Sequence, residues 1–472
     1  MTYNNNIVKP FIYTVLIFGL ICLVSYIASA QTVNRQSGSS NVSPQSASLS
    51  GGLPVTLTLG EALNLAMDHN REIKVAGLDI ARSAEEKTVA RSLRLPVAGI
   101  TGQASHYFDL PPFFGQGVAS GNKVPYARYG GKDQLTATLW VTQSLYNPAS
   151  KPSQLHAEKV EEQNRLLLGD KQTAIVAGVR QTYLRILVLG ERIRLQKESL
   201  GRNQKALEDA RSLLAQGRAL RVDTLRAFTS VKNLEPDLLR LSYAIEVGKL
   251  QLKTLIGIDS AQDVILSDSL SLPPAVTIPG EQEAFADAEK NRPDLQAMAL
   301  QPKIDEQQIR LADAARKPSV SLVGQYNVQT QANKFNYFDA LYPSTPYVGA
   351  QVSIPLFSGN ANLAKIREAR LSQQQSSTRF DNARSQLRAE VRQAVADAIE
   401  ASSRIQTRIT VKEAATLSYD ITQYRYANGV ASRLELTDAE LALTTAQSNY
   451  LEAVFDYISA LIELDRTRGR RD

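Results

Sequence analysis

The chain has 472 residues, with 53 Lys+Arg against 47 Asp+Glu and a formal net charge of +6. Hydrophobic residues make up 43%, which is too many for a disordered chain. A mean hydropathy of −0.21 excludes a bundle of membrane-spanning helices, and the small cationic surplus gives no reason to expect a nucleic-acid partner.

Phe11–Ile27 is almost wholly apolar, Lys9 lies just upstream, and Ala28-Ser29-Ala30 supplies an A-x-A cleavage site. Residues 1–30 are therefore expected to be a secretory signal peptide, an uncleaved anchor helix being the alternative. The single cysteine, Cys22, falls inside this segment and follows Ile21 rather than the small residue that lipidation requires. The processed chain then carries no disulfide and a charge of 52 − 47 = +5, and must be held by packing and assembly. Residues 31–56 are rich in Ser, Asn and Gln and read as a flexible leader.

The remainder reads as two copies of one unit. Pro96 and Pro318 are 222 apart, as are Gly102 and Gly324, and Glu61 and Glu283. Val141 and Val352 are 211 apart, while Val179 and Val391, and Gly217 and Gly429, are 212 apart. So long a period is a duplication rather than a solenoid. The first repeat, 57–257, is read as a helix over Leu59–Leu95, a hairpin over about 97–146, a long helix over 153–216 and a return helix over 222–256. A linker, 258–282, leads to the second repeat, 283–469. There a helix over Glu281–Lys317 is followed by a hairpin over about 319–357, a long helix over 360–428, a return helix over 434–468 and a tail, 470–472.

In the hairpins the pattern alternates with period 2. Leu135, Ala137, Leu139 and Val141 interleave with Thr136, Thr138, Trp140 and Thr142; Val348, Ala350, Val352, Ile354 and Leu356 continue the pattern in the second copy. Between Ser319 and Ala364 the only charges are Lys334 and Asp339. Aromatic residues (Tyr107, Phe108, Phe113, Phe114, Tyr126, Tyr129, Phe335, Tyr337, Phe338, Tyr342, Tyr347) crowd the loop ends. Strands of ~10 residues, one face apolar and the other Ser, Thr, Gln and Asn, with an aromatic girdle, fit an outer-membrane barrel. A soluble sandwich also alternates, but usually with Lys or Glu on its wet face. Four strands cannot close a barrel, and an open edge in lipid is prohibitive, so the chain is expected to oligomerise.

Each long helix, at 1.5 Å per residue, spans roughly 100 Å and must project from the membrane. The helical seams are heptads: Val179, Ile186, Ile193, Leu200, Leu207 and Leu214 in one helix, Leu436, Leu443, Tyr450, Tyr457 and Leu464 in another, the signature of left-handed supercoiling. The long helices turn back at Gly217 and Gly429, after Gln216 and Asn428. Asp223 and Glu435 then stand at the start of the return helices, where a helix's positive end favours acids. Alternatively Glu435 and Asp438, repeated by symmetry, ring a pore. Taken alone, the helices would equally suit a periplasmic coiled-coil structural or adaptor protein without a pore. His69, His106 and His156 have no metal-ligand spacing, and no catalytic or phosphate-loop motif occurs. No enzyme activity, cofactor or metal is expected.

Together these features resemble the TolC-type outer-membrane efflux and secretion channels. The segment Leu57–Ile73 (LTLGEALNLAMDHNREI) is similar to that family's usual start, and Lys290–Gln296 (KNRPDLQ), Pro318–Tyr326 and Ser353–Gly359 (SIPLFSG) are similar to its other hallmarks. The likeness runs from about Leu57 to Gly469. It implies a homotrimer in the outer membrane, with four strands per protomer in one twelve-stranded barrel and a periplasmic helical tunnel. It further implies a patch at Gly257–Gln282 around the tunnel's waist, and passive export driven by an inner-membrane pump through a periplasmic adaptor docked at the tip. The family's gate tyrosine matches Tyr426, its first-copy tip acid Asp223, and its paired acids Glu435 and Asp438. Ala431 stands where the family has an arginine; Arg433 is nearby.

Overall fold

A computed structural model describes residues 55–113, 128–218, 220–272, 276–333 and 341–470. The expected signal peptide, Cys22, all but the last two leader residues, Lys334, Asp339, Phe114, Tyr126, Phe335, Tyr337, Phe338 and the last two tail residues lie outside these.

The elements in chain order are β1 (Val55–Leu57), α1 (Leu59–His69), α2 (Arg71–Ser92), β2 (Val97–His106), β3 (Asp133–Tyr146), α3 (Ser150–Ala215) and α4 (Arg221–Ile256). These are followed by β4 (Val264–Leu266), α5 (Glu281–Asn291), α6 (Pro293–Ala314), β5 (Ser319–Ala332), β6 (Ser344–Ser353), α7 (Ala361–Ala427) and α8 (Arg433–Thr467). The two long helices have 66 and 67 residues, or roughly 100 Å each.

Three expectations need correction. The helices expected over 59–95 and 281–317 are each broken once. At Asn70 the side chain turns back as a cap: its Oδ1 accepts from the amides of Glu72 (2.8 Å) and Ile73 (3.1 Å), while its Nδ2 donates to the Leu255 carbonyl (2.8 Å). At Arg292 the break precedes Pro293, which opens α6 where its missing N–H costs nothing. The two breaks are 292 − 70 = 222 residues apart. The first long helix begins at Ser150 and contains Pro152 in its first turn, a position that tolerates proline. The last strand ends at Ser353, paired with Ser319. Ile354 and Leu356 are outside it, because Pro318 and Pro355 close the ladder from both sides.

The heptad seams are the packing seams. Val179 and Ile186 of α3 are buried with Leu252 and Ile256 of α4, and with Ala62 and Ala66 of α1. Val391 and Ala398 of α7 are buried with Ala284 and Ala288 of α5 and Leu464 of α8. In α4, Gly248 lies close enough to Ile186 that an added Cβ would sit 3.0 Å from its Cγ1. Each return helix ends on a left-handed glycine, Gly257 (φ +74°) or Gly469 (φ +73°). A Cβ on Gly257 would stand 2.4 Å from the His69 carbonyl oxygen, and one on Gly469 2.8 Å from the Asn291 carbonyl carbon. Each glycine thus packs against the kink between the first two helices of its own half.

At mid-length β1 and β4 pair in parallel, Val55 with Val264. The buried Tyr183 hydroxyl lies 2.9 Å from the Leu57 carbonyl and 2.7 Å from the Asp268 carboxylate, tying the segment after α4 to the long helix.

Candidate functional site

The other four strands form one antiparallel sheet in the order β2-β3-β5-β6. Its central pairing, β3 with β5, joins the two hairpins in register: Leu139 opposes Tyr326 and Val141 opposes Gly324. Residues directly opposed share a face, so the register sorts the sheet into a mainly apolar and a mainly polar face, with His106, Asp133, Gln143 and Thr330 among the apolar residues and Val97 and Val323 among the polar ones. One face carries Ala98, Ile100, Leu135, Ala137, Leu139, Val141, Leu322, Val328 and Val348. The other carries Thr101, Gln103, Thr136, Thr138, Trp140, Gln325, Asn327, Gln329 and Thr345. No Lys, Arg or Glu lies in any of the four strands.

Both faces are accessible in the single chain, and on the apolar one Ile100 is 69% exposed, Leu139 46% and Val348 77%. Trp140 lies on the polar face across Gly99, where an added Cβ would fall 2.7 Å from its ring. Of the expected girdle, Phe108, Phe113, Tyr129 and Tyr347 are exposed, and Phe113 and Tyr129 meet edge to face at 6.2 Å.

At the far end of the helices both tip turns have the same geometry. Gly217 (φ +69°) and Gly429 (φ +75°) adopt the left-handed conformation. Arg218 N–H donates to the Leu213 carbonyl and Gly217 N–H to Leu214; Val430 donates to Arg425 and Gly429 to Tyr426. Each is a Schellman motif, which satisfies carbonyls the helix end would leave bare.

The return helices open differently. Ser432 and Glu435 form a reciprocal capping box: the Glu435 amide donates to Ser432 Oγ (3.2 Å) and the Ser432 amide to Glu435 Oε1 (3.2 Å). The backbone and hydroxyl donors of Ser432 hold the Glu435 carboxyl below its ordinary range, with Arg425 adding to the effect. In the first half Leu220 has no side-chain acceptor, and Asp223 alone reaches back, its Oδ2 3.4 Å from the Leu220 amide.

Asp223 and Arg433 line one groove of about 440 Å³ between the starts of α4 and α8, with Val222, Arg226, Leu434 and Thr437. The Arg433 guanidinium also lies 5.8 Å from the Tyr426 ring, and Tyr426 packs on the buried Tyr419, Leu436 and Leu443. Glu435 faces Arg425 at 3.8 Å instead. Asp438 is exposed and outside the lining of the groove.

Sequence reasoning missed Arg425 and a buried polar node two turns deeper. Glu440 accepts from Asn203 Nδ2 (2.9 Å) and Arg202 Nε (3.2 Å) of α3, and Arg202 lies 5.7 Å from the ring centre of Tyr419 in α7. Burial pushes the Glu440 carboxyl above its ordinary range, against the pull of Arg202. The available signal was its spacing, four after Leu436 and three before Leu443, which places an acid on the seam.

Among the described residues no cluster of His, Cys, Asp and Glu could hold a metal ion. Nor is any described helix long and apolar enough to cross a membrane.

Comparison with known proteins agrees with this architecture. The chain is 22% identical over 426 residues to the proteases secretion protein PrtF of Dickeya chrysanthemi, spanning 89% of this chain and 90% of that one. It is 20% identical over 430 residues to the outer membrane protein TolC of Vibrio cholerae, spanning 87% and 90%. The Campylobacter jejuni CmeC outer membrane channel superposes with a TM-score of 0.73 at 15% identity, over 87% of this chain and 85% of that one. A family model described as outer membrane efflux protein matches residues 62–258 and again 285–470. The chain belongs to that family, the TolC-type efflux and secretion channels of the outer membrane.

Proposed function

We propose that the chain is one subunit of a homotrimer in which three four-stranded sheets close a twelve-stranded barrel over a periplasmic helical tunnel. The observation that carries this reading is the two-faced sheet. Its outer strands β2 and β6 have a ladder partner on one side only among the described residues, and its apolar face is exposed. Lipid would bury that face, but the free edges would then be unpaired in hydrocarbon, and further copies of the sheet remove both problems.

The helices supply independent support. Leu239, Tyr243, Val247 and Leu250 of α4 and Leu417, Ile421 and Tyr424 of α7 are exposed at spacings of three and four residues, away from the seams. A second apolar stripe on each helix suits a tunnel wall of neighbouring protomers. The same stripes argue against an isolated periplasmic rod.

The two halves, 57–257 and 283–469, are read as duplicated units behind a cleaved signal peptide and joined by the linker 258–282. The paired family match and the kinks 222 residues apart support this. Transport is passive: small molecules or secreted proteins enter from an inner-membrane pump through a periplasmic adaptor docked near Gly217 and Gly429. Asp223, Tyr426, Arg433, Glu435 and Asp438 form the gate region, with Arg433 bridging Asp223 and Tyr426 in place of the family arginine absent at Ala431. No step requires a cofactor. The test is native mass measurement of detergent-purified protein together with single-channel recording in planar bilayers. A trimer with stable conductance is expected; a detergent-independent monomer refutes the reading.

A further inference from the structure

At the feet of the strands, where β3 passes into α3 and α6 passes into β5, the described surface holds a pocket of about 380 Å³. Its wall carries four cations, Arg310, Arg316, Lys317 and Arg370, against one anion, Asp313. Its apolar lining is Pro148, Pro152, Ile309 and Ile366. Asp313 is already engaged by Lys317 at 2.8 Å and Arg316 at 4.0 Å, and Arg310 by Glu306 at 2.6 Å. Arg370 is exposed and, among the described residues, forms no salt bridge. Counting both acids, the cluster keeps a surplus of 4 − 2 = +2. The first turn of α3 opens beside the pocket without an acidic residue, so its positive end adds to the same field.

The position is as informative as the charge. The four strands contain no Lys or Arg, yet Lys317 stands two residues before β5 and Pro148 two residues after β3. Cations thus begin where the apolar sheet stops. Lys151, Lys365 and Arg367, at the starts of the long helices, extend the belt. Leu145 (62% exposed) and Leu322 (43% exposed) lie near the feet of β3 and β5, on the membrane side of the pocket. A cationic recess with apolar walls at the edge of an apolar sheet matches an amphiphile with a phosphate head and hydrocarbon tail.

We propose that this pocket binds the phosphodiester of an anionic phospholipid of the periplasmic leaflet, anchoring the channel at the depth where sheet passes into helix. The inference rests on the reading of the sheet as the membrane segment. Arg316 and Arg370 clasp the phosphate, and the acyl chains run along the strands past Leu145 and Leu322.

The full-length protein, purified in detergent, is titrated with phosphatidylglycerol and with phosphatidylethanolamine by native mass spectrometry, beside R316Q/R370Q and R316K/R370K. The wild type and the lysine variant are expected to prefer phosphatidylglycerol. The glutamine variant should lose that preference by more than roughly tenfold, each cation near a membrane surface contributing about fivefold. Absence of a phosphatidylglycerol preference in the wild type overturns the proposal, whatever the variants do, and so does unchanged preference in R316Q/R370Q. Displacement of the lipid by equimolar inorganic phosphate would make this a free-anion site and also overturn it. Failure to insert into vesicles would refute the membrane reading itself, whereas insertion without lipid preference refutes only this inference.

Discussion

The substitution Leu139→Arg separates a lipid-facing sheet from a soluble one. Leu139 is six residues from the start of β3 and seven from its end (139 − 133 and 146 − 139). It opposes Ile100 on one side and Tyr326 on the other, on the open apolar face. A strand of 14 residues at about 3.4 Å per residue, tilted about 45°, rises about 34 Å, so position 139 falls near the bilayer midplane. Arginine there costs about 2–4 kcal/mol per chain, and so about 6–12 kcal/mol in a trimer. Thr138→Arg is the control: one residue away, it puts the same charge on the polar face, toward a wet lumen, where the cost should be small. The assay is the folded fraction in phospholipid vesicles, read by heat-resistant mobility on gels and by protease protection. Leu139→Arg should reduce it by at least tenfold relative to Thr138→Arg. Equal tolerance of both charges, or equal damage from both, would refute the assignment of faces.

Three further predictions test the helices. Gly217→Ala should cost only about 1 kcal/mol of tip stability, since its left-handed φ is strained but its surroundings are open. Gly257→Ala should cost several-fold more, because the new methyl meets the His69 carbonyl, a contrast that thermal melts would show. Glu440→Ala should cost about 2–3 kcal/mol at the α3–α8 contact, less than a fully buried pair, because Arg202 keeps 25% exposure; hydrogen exchange at Asn203 and Glu440 should speed by ~30-fold or more. Because burial raises its carboxyl in the folded state, Glu440's contribution to folding stability should be greatest below the ordinary glutamate range and be lost as pH rises through the raised value. Glu440→Gln should abolish that slope, and a slope of opposite sign would contradict the assignment. If Glu435 and Asp438 ring the pore, E435Q/D438N should weaken multivalent-cation block in bilayer recordings; unchanged block leaves Glu435 as a helix cap alone.

What was legible in the sequence was whatever repeats. The alternation around Leu139 and the sevens from Val179 to Leu207 name faces, because a strand has period 2 and a supercoiled helix 3.5. The structure buries Val179, Ile186 and Leu207 accordingly. Single-residue events were harder to read. Pro293 was a local signal for the second break, but Asn70 ends its helix with help from the Leu255 carbonyl, 185 residues away. At the tip, the types of Asp223, Tyr426 and Glu435 were visible, but their partners were not. Arg433 and Asp223 line one groove between the halves only because two return helices begin side by side, and Arg425 meets Glu435 across the turn. The exposed stripe on α4 was hard to see because a second apolar row, Leu238, Leu241 and Ile245, runs beside Leu239, Tyr243 and Val247 in the same helix.

The two ends of the molecule answer to different solvents, and the choice of turn chemistry follows from that. At the tip, water can satisfy spare carbonyls, yet both turns close fully with Schellman hydrogen bonds. Water is therefore not what the turns are built for. A closed turn has no loose donors or acceptors and keeps Tyr426 and Arg433 at fixed height beneath Gly429, a rigid knuckle for docking or gating. At the feet of the strands a helix begins rather than ends. The N-cap residue of α3, Ala149, has no capping side chain, and Asn147 takes up the first two amides instead, its Oδ1 accepting from Ala149 and its carbonyl from Ser150. The positive end of such a helix is favourable beside a phosphate. On the proposed reading of the sheet, a lipid phosphate would meet this helix start, whereas each tip turn is closed by its own chain.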